Sequence, residues 1–146
     1  MNIPFIFAIV WTAFISISFW ESSVEGRNAW GKKKLGWELK IKKNVFLTRY
    51  HFYLFFITIP LLTLLPIFIY GWDSRLFGIL VSAYFSGIMI EDFMWYVVNP
   101  VVKLKEFYTK FSDYYPWIRI RNKKIIPLYY LFDMLIALLS WWFLWR

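Results

Sequence analysis

The chain contains no cysteine and a single histidine, His51, among its 146 residues. Without a thiol it can form no disulfide, no thiolate metal site and no cysteine nucleophile, so cysteine usage says nothing about the redox compartment. The sequence also lacks a phosphate-cradling motif, a recognisable pair of nucleophile and base, an internal repeat and a low-complexity tract. The common catalytic signatures are therefore absent, and the information lies in the distribution of apolar and charged residues.

Negative charge is also scarce, with 9 Asp and Glu against 17 Lys and Arg and a formal net charge of +8. Hydrophobic residues make up 60% of the chain and aromatic residues 25%. A soluble helical protein is disfavoured because soluble helices keep a polar face, whereas runs of about twenty apolar residues are long enough to cross a bilayer. The composition therefore predicts an all-α integral membrane protein.

Four apolar stretches, each about one bilayer long, predict four transmembrane helices in an antiparallel bundle. The spans cover about 3–20, 50–70, 76–98 and 125–145, and they form a single membrane domain over 1–146. Pro60 and Pro66 predict a kink in the outer half of the second span, because proline lacks an amide donor and clashes with the preceding turn. The third span is expected to end at Asn99, which precedes a proline.

Positive charge is concentrated in two loops, 21–49 and 101–124, which hold 15 of the 17 Lys and Arg residues. Only Arg75 and Arg146 lie elsewhere. Because Lys and Arg are retained on the cytoplasmic side of a membrane, both loops are predicted to lie inside the cell and both termini outside. The compact chain without a cleavable targeting segment favours a bacterial or archaeal plasma membrane.

Both basic loops also contain large aromatic residues. Aromatic rings favour the headgroup boundary, and basic side chains meet lipid phosphates there, so we expect the loops to lie along the membrane surface. The residues expected to contact anionic headgroups are Lys32, Lys33, Lys34, Arg119 and Arg121. Basic residues interleaved with aromatics also occur in RNA-binding proteins, but the pattern is ordinary beside a membrane, and no nucleic-acid partner is predicted.

Three acidic residues lie inside the predicted spans, although an ionisable group costs roughly 2.5–3.5 kcal/mol near the bilayer centre. Glu91 and Asp92 belong to the third span and Asp133 to the fourth. From the helical rise, Asp92 and Asp133 lie about 10 Å and about 12 Å from the inner ends of their spans, at matching levels. His51 opens the second span at the same surface, and Glu25 follows the first.

Helical spacing predicts that Glu91 and Asp92 face different neighbours. Glu91 follows Ala83 and Gly87 at four-residue intervals, and small residues allow another helix to approach closely. Asp92 lies about 100° around the helix axis from Glu91. A second stripe of small residues on the same span consists of Gly78, Ser82 and Ser86.

Two chemical interpretations use the polar residues of the spans. A divalent metal ion could be held by His51 with Glu91 or Asp92, Asp133 and Glu25, since helix bundles bind metals through inward-facing carboxylates and imidazoles. In an enzyme that acts on a lipid or another membrane-soluble substrate at the cytoplasmic face, the catalytic candidates are His51, Glu91, Asp92 and Asp133. The sequence leaves both interpretations open.

A third interpretation is structural, with the acids neutralised by neighbouring polar groups. Arg49 and His51 are candidates, and Tyr129 and Tyr130 lie one turn before Asp133 and are expected to hydrogen-bond it. Passage of protons or ions is disfavoured because polar residues do not continue through the outer half of the spans.

The interpretation that requires least of the sequence is a subunit of a larger membrane complex, or a homo-oligomer. Two stripes of small residues on the third span offer packing faces on both of its sides. A metal-dependent membrane enzyme is the alternative, and the sequence does not decide whether the protein is an enzyme.

Overall fold

The computed structural model describes residues 1–29, 35–42 and 45–146, and it is mostly helical. Four helices are long and apolar enough to cross a membrane: α1 (Ile3–Glu25), α2 (Arg49–Tyr70), α3 (Ser74–Val98) and α4 (Leu128–Trp145). Two antiparallel hairpins lie in the connecting segments, β1 (Glu38–Lys42) with β2 (Val45–Thr48) and β3 (Trp117–Ile120) with β4 (Lys123–Pro127). Two short 3₁₀ turns, Leu104–Tyr108 and Lys110–Ser112, follow α3. The four membrane-length helices agree with the prediction, whereas the hairpins were not predicted.

Two helix boundaries differ from those expected. α1 continues past its predicted end at 20 to Glu25, and Gly26 then leaves the helical conformation with a φ of 56°. α4 begins at Leu128 instead of 125, because the residues before it belong to β4. The turn of this hairpin is formed by Arg121 and Asn122 at φ values of 47° and 64°, the left-handed pair that a tight two-residue turn requires. The alternation of Ile and Arg before the turn was the signal for this hairpin.

α2 is irregular in its first half, where Phe52–Thr58 forms a π-helical segment. The segment precedes Pro60, which has no amide hydrogen to donate. The Ile59 amide donates to a carbonyl five residues back. The carbonyl of Phe55, five residues before Pro60, accepts a hydrogen bond from the hydroxyl of Tyr84 of α3. The irregularity therefore lies before Pro60, although the sequence placed the effect of the prolines in the second half of the helix.

α3 lies at the centre of the fold and contacts each of the other three long helices. A Cβ atom at Gly87 would lie 2.2 Å from Cδ2 of Phe14, so glycine is what allows α1 to approach. A Cβ atom at Gly78 would lie 2.5 Å from Cβ of Leu144 on α4. The small residues of α3 thus pack against helices of the same chain. They give no argument for an external partner, and the predicted oligomer stays a prediction.

Hydrogen bonds pair α1 with α3 in ascending order along both helices. Nε1 of Trp11 donates to Oγ of Ser86 at 2.9 Å, and Oγ of Ser18 donates to the carbonyl of Glu91 at 2.9 Å. α4 is paired with α3 in the opposite sense, since Oγ of Ser140 donates to the carbonyl of Gly78, whereas Oγ of Ser82 donates to the carbonyl of Ala137. α1 and α3 therefore run in one direction and α4 runs in the other.

The two basic segments meet at one end of the helices. The guanidinium of Arg27, just after α1, donates to the carbonyl of Val101 at 2.8 Å and forms an ion pair with Glu106 at 2.7 Å. The side-chain amide of Asn99 donates to the carbonyl of Gly26 at 2.8 Å. The hydrogen bond from Arg27 lowers the pKa of Glu106 to about 2. These contacts place the segment after α1 beside the segment after α3.

Candidate functional site

An elongated cavity of about 590 Å³ lies beside α3, between that helix, α2 and the first half of α4. On α3 the lining residues recur at intervals of three or four and therefore share one face. They are Phe77, Leu80, Val81, Tyr84, Phe85, Ile88, Glu91 and Asp92. Phe77 and Asp92 are fifteen positions apart, about 22 Å along the helix axis, so the cavity follows α3 for most of its length.

The cavity is apolar along most of this length and polar at one end. α2 contributes mainly large apolar side chains, including Phe55, Phe56 and Pro60. The polar end is lined by His51, Glu91, Asp92, Asp133, Tyr114, Tyr115 and Tyr129. The structure thus brings the four predicted catalytic candidates to one end of one cavity. Glu25 lies behind them, beside a much smaller space that His51, Glu91 and Asp92 also line.

Asp92 is held by three tyrosine hydroxyls. Tyr115 donates to its Oδ1 at 2.5 Å, Tyr130 donates to its Oδ2 at 2.6 Å, and Tyr129 also donates to Oδ2. The expectation that Tyr129 and Tyr130 bond Asp133 is therefore wrong: both hydroxyls reach across to α3 instead of along α4. Hydrogen bonds to a buried carboxylate offset its loss of water, so this network stabilises Asp92 where it lies.

Tyr115 belongs to the segment before β3 and joins that segment to the membrane-length helices. Burial raises the pKa of the Tyr115 hydroxyl well above its usual value, and the nearby Asp92 raises that pKa further, so the hydroxyl keeps the proton it donates. The adjacent Tyr114 shares a hydrogen bond with Tyr96 of α3. These bonds fix the wall of the cavity formed by the connecting segment.

Glu91 faces α1, where its carboxyl lies near that of Glu21 and its backbone carbonyl accepts a hydrogen bond from Oγ of Ser18. The prediction that Glu91 and Asp92 have different neighbours is thus confirmed. Glu91 is 4% exposed and Asp133 is 9% exposed. Oε1 of Glu91 and Oδ2 of Asp133 are buried and accept no hydrogen bond within the part of the chain that the structure describes. Both residues line the cavity, so two carboxyl oxygen atoms without a hydrogen-bond partner are buried at its wall.

His51 is 2% exposed, and groups of the protein face both of its ring nitrogen atoms. Oγ1 of Thr48, the residue that caps the start of α2, lies 2.6 Å from Nδ1, and Oε1 of Glu25 lies 3.5 Å from Nε2. Over residues 1–29, 35–42 and 45–146, no group of three or more His, Asp or Glu is placed to hold a metal ion. The predicted metal site with His51, Glu25, Glu91, Asp92 and Asp133 gains no support from this geometry.

The predicted headgroup contacts fall into two groups. Lys32, Lys33 and Lys34 lie outside the described residues. Arg119 is exposed and bonds Asp113 at 3.0 Å, and Arg121 lies exposed in the turn between β3 and β4. These two arginines are therefore accessible at the end of the molecule where the basic segments meet.

Arg49 was expected to neutralise a buried acid, but its side chain lies over the ring of Tyr53, with 6.0 Å between the guanidinium carbon and the ring centroid. The apolar part of the cavity was also missed. Its α3 face has the same periodicity and composition as a face in contact with lipid, so the sequence offered no signal for it.

Comparison with protein-family models, with curated proteins and with solved structures finds no match for this chain.

Proposed function

We propose that this chain is a small integral membrane protein whose cavity binds an amphipathic, membrane-soluble molecule. The observation that carries the proposal is the shape and chemistry of the cavity, about 590 Å³ in volume, elongated along α3 and polar at one end. Ligand sites have volumes of about 300–1,000 Å³ and combine apolar walls with a few polar groups that orient the ligand. A long apolar wall with one polar end fits a molecule that has a hydrocarbon chain and a polar head.

The proposed arrangement has four spans of alternating direction, with both termini outside the cell and the basic segments in the cytoplasm. Arg27 bonds Val101 and Glu106, which is what two loops on the same side of a membrane require. The excess of Lys and Arg in these segments favours the cytoplasmic side. The polar end of the cavity then lies in the cytoplasmic leaflet, in a bacterial or archaeal plasma membrane, and Arg119 and Arg121 lie where anionic headgroups are found.

Binding is proposed in preference to metal-dependent catalysis because of the surroundings of His51. A metal ligand needs a free ring nitrogen, whereas Thr48 and Glu25 face the two nitrogen atoms of this ring. Glu91 and Asp133 each keep one carboxyl oxygen atom without a hydrogen-bond partner in the described part of the chain, and in an enzyme of this kind they would be the groups that move protons.

The test is reconstitution in lipid nanodiscs followed by native mass spectrometry. Val81 lines the cavity, so Val81→Trp fills part of it. In the matched control, Leu62→Trp places the same side chain at a position of α2 that is 64% exposed and does not line the cavity. We expect the wild type and the control to retain an amphiphile of discrete mass and the Val81 variant to lose it. Equal retention by all three proteins would contradict the proposal.

An assembly, either a homo-oligomer or a subunit of a larger membrane complex, is a second candidate because of an exposed face of α1. Ala8, Thr12 and Ser16 recur at four-residue intervals, and all three are exposed. Small residues at this spacing allow two membrane helices to pack closely. A particle mass above that of one chain, reduced to a single chain by Thr12→Ile, would support assembly through this face. A single-chain mass for the wild type would exclude it.

A further inference from the structure

Two residues at the wall of the proposed cavity each carry a carboxyl oxygen atom without a hydrogen-bond partner among the described residues. Asp133 and Glu91 are each more than nine-tenths buried, and both line the polar end. Oδ2 of Asp133 and Oε1 of Glu91 have no hydrogen-bond partner within the described part of the chain. A buried acceptor without a donor is costly and rare, and a bound molecule is one of the few things that can supply the donor.

The other polar groups at this end are already engaged. Asp92 accepts hydrogen bonds from the hydroxyls of Tyr115, Tyr129 and Tyr130 through both of its oxygen atoms. His51 is held by Thr48 and faces Glu25. The groups left for a ligand are therefore carboxyl oxygen atoms, which match a head group that donates hydrogen bonds.

The composition of the polar end disfavours one large class of membrane amphiphiles, those with a phosphate head. Three carboxyl side chains, Glu91, Asp92 and Asp133, line it. Among the described residues that line the cavity there is no Lys and no Arg. Phosphate groups are bound by Arg, Lys, backbone amides or metal ions, and a carboxyl group gives the negative charge of a phosphate no compensation. Of the 17 Lys and Arg residues, 15 lie in the segments 21–49 and 101–124, and none of those that the structure describes belongs to this lining.

We infer that the ligand has a long hydrocarbon chain and a polar head that donates hydrogen bonds and carries no phosphate, as in a long-chain alcohol or a long-chain amine. The inference rests on the proposed function, because it describes the occupant of the same cavity. The apolar part of the cavity takes the chain, and Asp133 and Glu91 accept hydrogen bonds from the head. This excludes a phospholipid head as the group bound at the carboxyls.

The test compares three probes of equal chain length: hexadecanol, hexadecylamine and hexadecyl phosphate. Each is titrated into nanodiscs of phosphatidylcholine that contain the wild-type protein, and occupancy is measured by native mass spectrometry. We expect the alcohol and the amine to bind at least tenfold more tightly than the phosphate, because only they donate without adding negative charge. Binding of the phosphate that equals or exceeds that of the other two would overturn the inference.

Variants separate the contribution of the carboxyl from that of the cavity. Asp133→Asn keeps an acceptor but cannot form an ion pair with an ammonium group, so it should weaken binding of the amine at least tenfold relative to the alcohol. Asp73→Asn is the matched control, since Asp73 caps α3 at its other end and does not line the cavity. An unchanged ratio of amine to alcohol in the Asp133 variant would count against the inference. If Asp133→Asn does not fold, the same measurement on Glu91→Gln and the comparison of the three probes on the wild type still test the inference.

Val81→Trp distinguishes the two possible failures. If this variant abolishes binding of all three probes while the wild type does not discriminate among them, the cavity binds amphiphiles and only the inference about the head is wrong. If it leaves binding of every probe unchanged, the cavity is not the site, and the proposed function fails with the inference.

Discussion

The hydrogen bond from Tyr84 to the carbonyl of Phe55 should depend on Pro60. Within the π-helical segment the Ile59 amide bonds a carbonyl five residues back, so the next donor in the same pattern would be the amide of residue 60. Proline has none, and the carbonyl of Phe55 accepts the hydroxyl of Tyr84 instead. A side chain of α3 thus replaces a backbone donor that the sequence of α2 removes.

Removing this hydroxyl should leave a carbonyl without a donor in an apolar region. Tyr84→Phe is expected to lower the free energy of unfolding by about 1–3 kcal/mol, the cost of an unsatisfied buried polar group. Pro60→Ala restores an amide donor at residue 60. In a protein that carries Pro60→Ala, Tyr84→Phe should therefore lower the free energy of unfolding by at least about 1 kcal/mol less than it does in the wild type. A coupling of this size is typical of residues that share a partner.

The measurement is unfolding by dodecyl sulfate in mixed micelles, followed by far-ultraviolet circular dichroism, for both single variants and the double variant. Tyr70→Phe is the matched control because Tyr70, at the end of α2, is 84% exposed and should be neutral. If the costs of Tyr84→Phe and Pro60→Ala simply add, the hydroxyl does not replace the missing amide, and this explanation of the α2–α3 contact is refuted.

Three further predictions concern packing, pH and orientation. Gly87→Ala should cost about 1–3 kcal/mol of stability, because its Cβ would overlap Phe14, and Phe14→Leu should recover part of the loss in the same unfolding assay. Glu106 should titrate near pH 2, below its ordinary pKa of about 4.3. Its ion pair therefore stabilises the fold fully above that ordinary pKa, and this stability should be lost as the pH falls from about 4 to 2. Carboxyl-carbon NMR should show that pKa returning toward its ordinary value in Arg27→Gln. A single cysteine at Lys123, in the second hairpin, should react with an impermeant maleimide only from the cytoplasmic side, and labelling from outside would reverse the proposed orientation.

The sequence predicted the features that depend on a single helix. Span number and approximate length follow from apolar runs, and the different neighbours of Glu91 and Asp92 follow from the 100° step between successive helical residues. The partners of Tyr129 and Tyr130 could not be obtained in this way. Whether they bond Asp133 on their own helix or Asp92 on another depends on how α4 is placed along α3, and one sequence carries no direct signal for that register.

The cavity exists because small residues are present where α1 and α4 pack against α3 and are absent where α2 faces α3. α1 and α4 approach α3 closely because Gly87 and Gly78 leave room for Phe14 and Leu144. α2 instead faces α3 with large side chains such as Phe55 and with a backbone made irregular by proline, so it cannot approach in the same way. Small residues thus close the interfaces of α3 with α1 and α4, and large residues keep α2 apart from α3. A change that brings α2 closer to α3 should therefore affect ligand binding before it affects the packing of α1 or α4.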